Sequence, residues 1–321
     1  MRERSTYGPR VSQGERAGRG RRPTFSRPHG RIDPVIVENQ HRSRQPFLGL
    51  VVNLRYPENA EVVAATRRCG AAADCTILIA DANEFVGREE AYTRLLSEGR
   101  IDGLLMGTLM PTADDLAEIT RQRLPLVLVN RRIPGLAPGV AADDEAGLRV
   151  AVDHLVRIGH KRIAYITGPG AADTVHRRLA GFRRAVTAAG LELPPDHVVA
   201  SSADPEDGPA RAMAQLLRLD PRPTAVVLWT VGDAAGALHA THQQSLSVPS
   251  DVSLIAINDS PAAAYLNPPL TVVRMPLAEC AGMALARLRD VVRGRNVSGD
   301  VLVRTPPLLV QRASTSPPQS L

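Results

Sequence analysis

Short apolar runs, each followed by a stretch with helical spacing, recur from Phe47 to Arg304, and this alternation restricts the fold more than any other feature of the chain. FLGLVVN (47–53), CTILIA (75–80), IDGLLMG (101–107), LPLVLVN (124–130), RIAYIT (162–167), TAVVLWT (224–230), DVSLIAIND (251–259) and VLVR (301–304) have strand length and little polar interruption. A strand without alternation is covered on both faces, and strands separated by helices pair in parallel. The helices are read from spacing: Ala60, Val63, Ala64 and Arg67; Ala91, Leu95 and Leu96; Leu116 and Ile119; Leu148, Val152 and Leu155. In VDHLVRIGHKRIAYITGP (152–169) the change from helix to strand takes a few residues, with Gly159 at the position that closes the helix. The pattern predicts an α/β protein built on parallel sheets with helices on both faces.

Such sheets bind ligands outside the carboxyl ends of their strands. The loops to inspect are therefore Asn53–Asn59, Ala80–Phe85, Gly107–Thr112, Asn130–Arg132, Gly168–His176, Trp229–Asp233 and Asn258–Pro261. GPGAAD (168–173) carries two glycines of a dinucleotide loop but ends in Asp173, whose charge repels a pyrophosphate, so a plain strand-to-helix turn is the better reading. His239 and His242 have no further ligand placed beside them by spacing, and no metal or cofactor is expected. There is no G-x-S-x-G, and Asp143-Asp144 precedes a helix, where a cap and a favourable dipole explain it better than paired catalytic carboxylates. An enzyme is not indicated. Trp229, the lone tryptophan, ends a core strand and either packs inside or stacks on a ligand.

Charge is unevenly placed. The formal charge is +6, but residues 1–46 hold eleven arginines against four acidic groups, which leaves residues 47–321 at −1. That Arg-, Gly- and Pro-rich stretch lacks helical periodicity and reads as a disordered basic tail. Three cysteines without a CxxC pair argue against a disulfide scaffold and fit a reducing cytoplasm. No charged-then-apolar leader and no run of about 18 apolar residues is present, so neither export nor a membrane span is expected.

Six segments in order resemble the effector-binding core of lactose-repressor-type (LacI/GalR) regulators: VDHLVRIGHKRIAYITGP, RRLAGFRRAVTAAGL (177–191), RPTAVV (222–227), SVPSDVSLIAIND (247–259), NPPLTVVRMPLAECAGMA (267–284) and PPLLVQRAST (306–315). The resemblance implies a two-lobed, periplasmic-binding-protein-like fold. The first lobe would comprise 47–142 and 272–299 and the second 143–271 and 300–315, with crossings near Ala142, Thr271 and Asp300 and a short tail over 316–321. It also implies a small-molecule effector in the cleft, a homodimer, and transcriptional control of an operator through an N-terminal helix–turn–helix. The family's head and hinge need roughly 60 residues before the first strand. Here 46 precede it, without that pattern, so either the head is absent or the start lies in another reading frame. Arg21, Arg22, Arg42 and Arg44 are the candidates for phosphate contact in the tail, and such contact would be sequence-independent. The alternative is an effector-binding sensor that does not read DNA.

The resemblance assigns the effector site to Tyr56, Asn130, His176, Trp229, Thr230, Asn258 and Met275, most of which depart from the family's usual residues. His176 stands where the resemblance expects a sugar-clamping arginine, Asn130 and Asn258 where it expects acids, and Trp229 where it expects a small residue. Losing charged, bidentate groups weakens hydroxyl recognition, so the effector is expected not to be a simple hexose.

Overall fold

A computed structural model describes residues 45–82, 98–107, 121, 125–133, 135, 137–170, 172–202 and 207–319. The helices expected around Ala91–Leu96 and Leu116–Ile119 lie outside these residues, as do Arg21, Arg22, Arg42 and Arg44.

The first lobe begins with β1 (Phe47–Val52), α1 (Asn59–Ala72), β2 (Thr76–Asp81), β3 (Gly103–Met106), β4 (Leu126–Val129) and β5 (Gly139–Ala141). The second lobe follows with α2 (Asp144–Arg157), β6 (Ile163–Thr167), α3 (Asp173–Ala188), β7 (Val198–Ala200), α4 (Gly208–Leu217), β8 (Ala225–Leu228), α5 (Ala234–Gln243), β9 (Ser253–Ile257) and β10 (Thr271–Arg274). The chain then returns for α6 (Leu277–Val292) and β11 (Val301–Leu302), and ends at β12 (Leu308–Val310). Among the described residues there are two six-stranded sheets, ordered β11-β5-β4-β3-β1-β2 and β12-β10-β9-β8-β6-β7. Every pairing is parallel except β10 with β12.

The apolar runs explain the layering. GLLM of β3, LVLV of β4, IAYIT of β6 and SLIAI of β9 are buried at every position, because helices cover both faces of these inner strands. Removing each such Leu, Ile or Val from water contributes about 1.5–3 kcal/mol. Edge strand β2 keeps partial exposure along its length. Helices α1 and α6 pack together on the first sheet, α2 packs on α3, and α4 on α5. Helix α2 ends as its sequence indicates: Gly159 takes a φ of +102°, and His160 N–H closes back onto the Leu155 carbonyl at 3.0 Å.

The crossings fall later than the sequence suggested at two of three places. The strand containing Thr271–Arg274 pairs with β9 (Val272 opposite Ala256), so residues 272–274 belong to the second sheet and the return to the first lobe comes between Arg274 and Leu277. Val301 pairs with Val140, so β11 completes the first sheet, and the last crossing follows Leu302 rather than Asp300. The C-terminal segment is also bound further than expected. Ser314 Oγ accepts from Thr271 N–H at 2.8 Å and donates to the Leu254 carbonyl at 2.6 Å. Ser316 N–H donates to Ser253 Oγ at 3.0 Å, and its carbonyl accepts from His160 at 2.9 Å. Ser316 is thus fastened to the second lobe and is not the start of a tail.

Candidate functional site

Both sheets turn the carboxyl ends of their strands toward one cavity. It is lined by Val52 and Gly107, Val129 to Arg131, Trp229 and Thr230, and Asn258, all at or just after strand ends, with Tyr56, Glu58, Asn59 and Val62 from the β1–α1 connection. Thr174 and Arg178 reach it from α3, and Leu277 from the start of α6. Asn130 and Asn258 close β4 and β9 with φ of +54° and +69°, a left-handed conformation that asparagine tolerates better than most residues. Five of the expected residues meet here: Tyr56, Asn130, Trp229, Thr230 and Asn258.

Two do not. His176 is exposed and lines a separate groove with Arg132, Asp143, Glu145 and Arg184. On a helix, residues four apart share a face; Thr174 and Arg178 do so toward the cavity, and His176 between them points elsewhere. Met275 is 1% exposed and packs in the core, its sulfur 2.7 Å from where a side chain on Gly147 would begin. The short link from β10 to α6 turns it inward, and Leu277 takes the cavity position.

The sequence reading missed Arg178, the central charge of the site. Its Nε donates to Asp144 Oδ1 at 2.8 Å, its Nη1 donates to the Trp229 carbonyl at 2.9 Å, and its guanidinium carbon lies 4.4 Å from the centre of the Trp229 ring. Trp229 is thereby both buried and part of the site, sandwiched between a cation and Gly168, where a Cβ would come within 2.5 Å of the indole. That close approach is the structural reason for the first glycine of Gly-Pro-Gly. Burial opposes charge on Arg178, but Asp144, Tyr165 and Glu58 together outweigh that cost and keep the guanidinium protonated. Asp143 caps α2 by accepting from Ala146 N–H at 2.9 Å, as the sequence indicated. Asp144 instead turns inward, receiving Arg177 at 2.7 Å as well as Arg178.

Glu58 was also missed. It is 5% exposed, and Asn258 Nδ2, from the other lobe, donates to its Oε1 at 3.2 Å. Burial pushes the Glu58 carboxyl above its ordinary range, opposed by its own backbone amide, Arg178 and the Asn258 and Thr230 side chains. At the end of β8, Thr230 Oγ1 accepts from Gly232 N–H and Asp233 Oδ2 accepts from Thr230 N–H at 3.0 Å. Burial raises Asp233 to about 7, and Tyr56 is raised to about 12 by burial first and then by Asp233 and Glu58. Among the described residues no group of three His, Cys, Asp or Glu is placed to hold a metal ion.

A second contact set joins the lobes beside the cavity. Asp173, at the first turn of α3, accepts from Arg131 Nε at 3.0 Å and from Arg132 N–H at 2.7 Å, both just after β4, and also pairs with Arg177. The Asp that spoils a dinucleotide loop is here a link between lobes.

Comparison with known proteins agrees with this architecture. Residues 152–315 match the periplasmic binding protein-like domain family. The HTH-type transcriptional repressor CytR of Escherichia coli K12 is 31% identical over 291 residues, covering 90% of this chain and 84% of its own. This chain belongs to the LacI/GalR family of transcriptional regulators. The regulator GalR of Salmonella typhimurium is 31% identical over 273 residues, covering 84% of this chain and 79% of its own. A LacI-family regulator from Mycobacterium smegmatis superposes with a TM-score of 0.77 at 30% identity, covering 85% of this chain and all of that one. These relatives are named as regulators of transcription, not as enzymes. No described helix is long and apolar enough to cross a membrane.

Proposed function

We propose that this regulator takes a small, polar, ring-shaped effector in the cavity between its lobes, and that the occupied state changes how the protein acts on its operator. The observation that carries the reading is the convergence, at the carboxyl ends of both sheets, of a buried Arg178–Trp229 pair with Glu58, Asn258 and Thr174. Polar groups set among apolar side chains such as Val52, Val62, Val129 and Leu277 are what fix a ligand's orientation. Tyr56, Asn130 and Thr230 complete the contacts, whereas His176 and Met275 take no part. The earlier ground for excluding hexoses, loss of the charged clamp, does not stand, because Arg178 supplies a guanidinium two residues along.

In this reading the protein is a cytoplasmic homodimer, as is usual for this family, with the arginines of residues 1–46 adding sequence-independent phosphate contact. The test is binding of the full 321-residue chain to DNA flanking its own gene, against scrambled DNA, at low and physiological salt. Site preference that survives the higher salt supports operator recognition. Equal binding to both DNAs that vanishes with salt favours the sensor that does not read DNA.

A further inference from the structure

The cavity holds three side-chain oxygens that are buried and without a hydrogen-bond partner: Glu58 Oε2, Asn258 Oδ1 and Thr174 Oγ1. Their residues are 5%, 3% and 5% exposed, so bulk water does not serve them. Buried polar groups left unpaired cost about 1–3 kcal/mol each, which makes such a cluster a place that awaits a ligand's donors. Two of the three accept only. Asn258 spends an amide proton on Glu58 Oε1 at 3.2 Å, which leaves its carbonyl oxygen and the second oxygen of Glu58 as acceptors, one from each lobe.

Charge narrows the choice further. Among the described residues Glu58 forms no ion pair: Arg178 is paired with Asp144 at 2.8 Å. Arg178 nearby offsets only part of the burial of Glu58, and a buried carboxylate without a full partner is far more costly than a hydroxyl in the same place. A ligand hydroxyl brings one proton and no charge. A primary amine, ammonium or exocyclic amino group brings two or three N–H donors to two or three acceptors, and an ammonium also neutralises Glu58.

We propose that the effector carries an amino or ammonium nitrogen seated between Glu58 and Asn258, and that Glu58 is the residue by which this regulator separates aminated ring compounds from their oxygen counterparts. The proposal rests on the reading of the cleft as the effector site. It restores, on a different ground, the expectation that a simple hexose is not the ligand.

The experiment is calorimetric titration of the full chain with matched pairs that differ by one nitrogen-for-oxygen exchange: glucosamine and glucose, adenosine and inosine, cytidine and uridine. The expected result is one pair whose amino member binds at least about tenfold tighter, worth roughly 1.4 kcal/mol. E58Q should shrink that preference below about threefold; should E58Q fail to fold, N258S reads the same preference through the second acceptor. A purely structural role for Glu58 would change both members' affinities together and keep their ratio, which overturns the proposal. So does an oxygen member that binds as tightly as its amino partner. Absence of heat with every compound of all three pairs overturns the cleft reading itself, and the proposal with it.

Discussion

Arg178 sets a guanidinium between a carboxylate and an indole at 2% exposure, and the energetics of that placement are separable from those of its neighbours. Removing one partner of a buried pair leaves the other charged and dry, at about 3–5 kcal/mol. Asp144 keeps Arg177 at 2.7 Å, so R178A is expected at the low end, about 3 kcal/mol by urea denaturation. H176A, two residues earlier and exposed, should stay within about 0.5 kcal/mol. Equal effects from the two would contradict the division of the helix into a cavity face and a solvent face. Asp233 makes a second residue-level prediction. Its carboxyl is raised from 3.8 to about 7, chiefly by burial, so the native state holds a proton that the unfolded chain has released. Stability from this group is fully present below about pH 4 and is lost as pH rises toward 7. D233N keeps an acceptor for Thr230 N–H but cannot ionise. Its stability relative to the native sequence should therefore improve between pH 5 and pH 8, by about 2 kcal/mol. A pH-independent difference between the two proteins would mean that Asp233 does not titrate in this range.

Elements differ in how much of themselves they show in sequence. The inner strands were legible because burial on both faces writes an unbroken apolar run, as in LVLV of β4. The two misplaced crossings lie at β10 and β11, because an apolar run such as VLVR (301–304) marks a strand but not the sheet it joins. Strand ends were legible as well: position gave the loops that hold Tyr56, Asn130, Trp229, Thr230 and Asn258, and the resemblance singled out those residues within them. On helix α3 the resemblance pointed to His176, two residues before the arginine that lines the cavity. The signal lay in its periodicity, since Thr174, Arg178 and Phe182 form one buried stripe. Glu58 lies at the cap of α1 in the β1–α1 loop, where the resemblance assigns only Tyr56 to the effector site. The first turn of α3 carries the prediction at this scale. Asp173 ties that turn to Arg131 and Arg132 of the other lobe, part-buried at 3.0 and 2.7 Å. D173A should loosen lobe closure and weaken effector binding by roughly fivefold, about 1 kcal/mol, with little change in overall stability. Titration of the variant against the same effector checks this; unchanged affinity would make the contact incidental.

Across the whole molecule, the contacts between lobes and the contacts proposed for an effector are partly the same atoms. Glu58 reaches Asn258 across 200 positions of sequence, and Arg131 both lines the cavity and holds Asp173. A ligand that satisfies Glu58 and Asn258 must therefore favour one relative placement of the lobes over others, and only that differential affinity can shift an equilibrium. If the operator favours a placement too, the two binding events share a coupling free energy that is the same in both directions. The expected coupling is about 1–3 kcal/mol, or roughly 5- to 150-fold. Effector affinity measured with and without saturating operator DNA should change by the factor by which effector changes operator affinity, at one fixed salt concentration. Holding salt fixed matters here because residues 1–46 carry eleven arginines, and any phosphate contact they make weakens with salt whatever the cleft is doing. The two factors also separate the sources of DNA affinity. Binding through the basic segment alone is blind to lobe placement and gives a factor of one in both titrations. Recognition coupled to the core gives the same factor above one in each, and D173A should reduce both together.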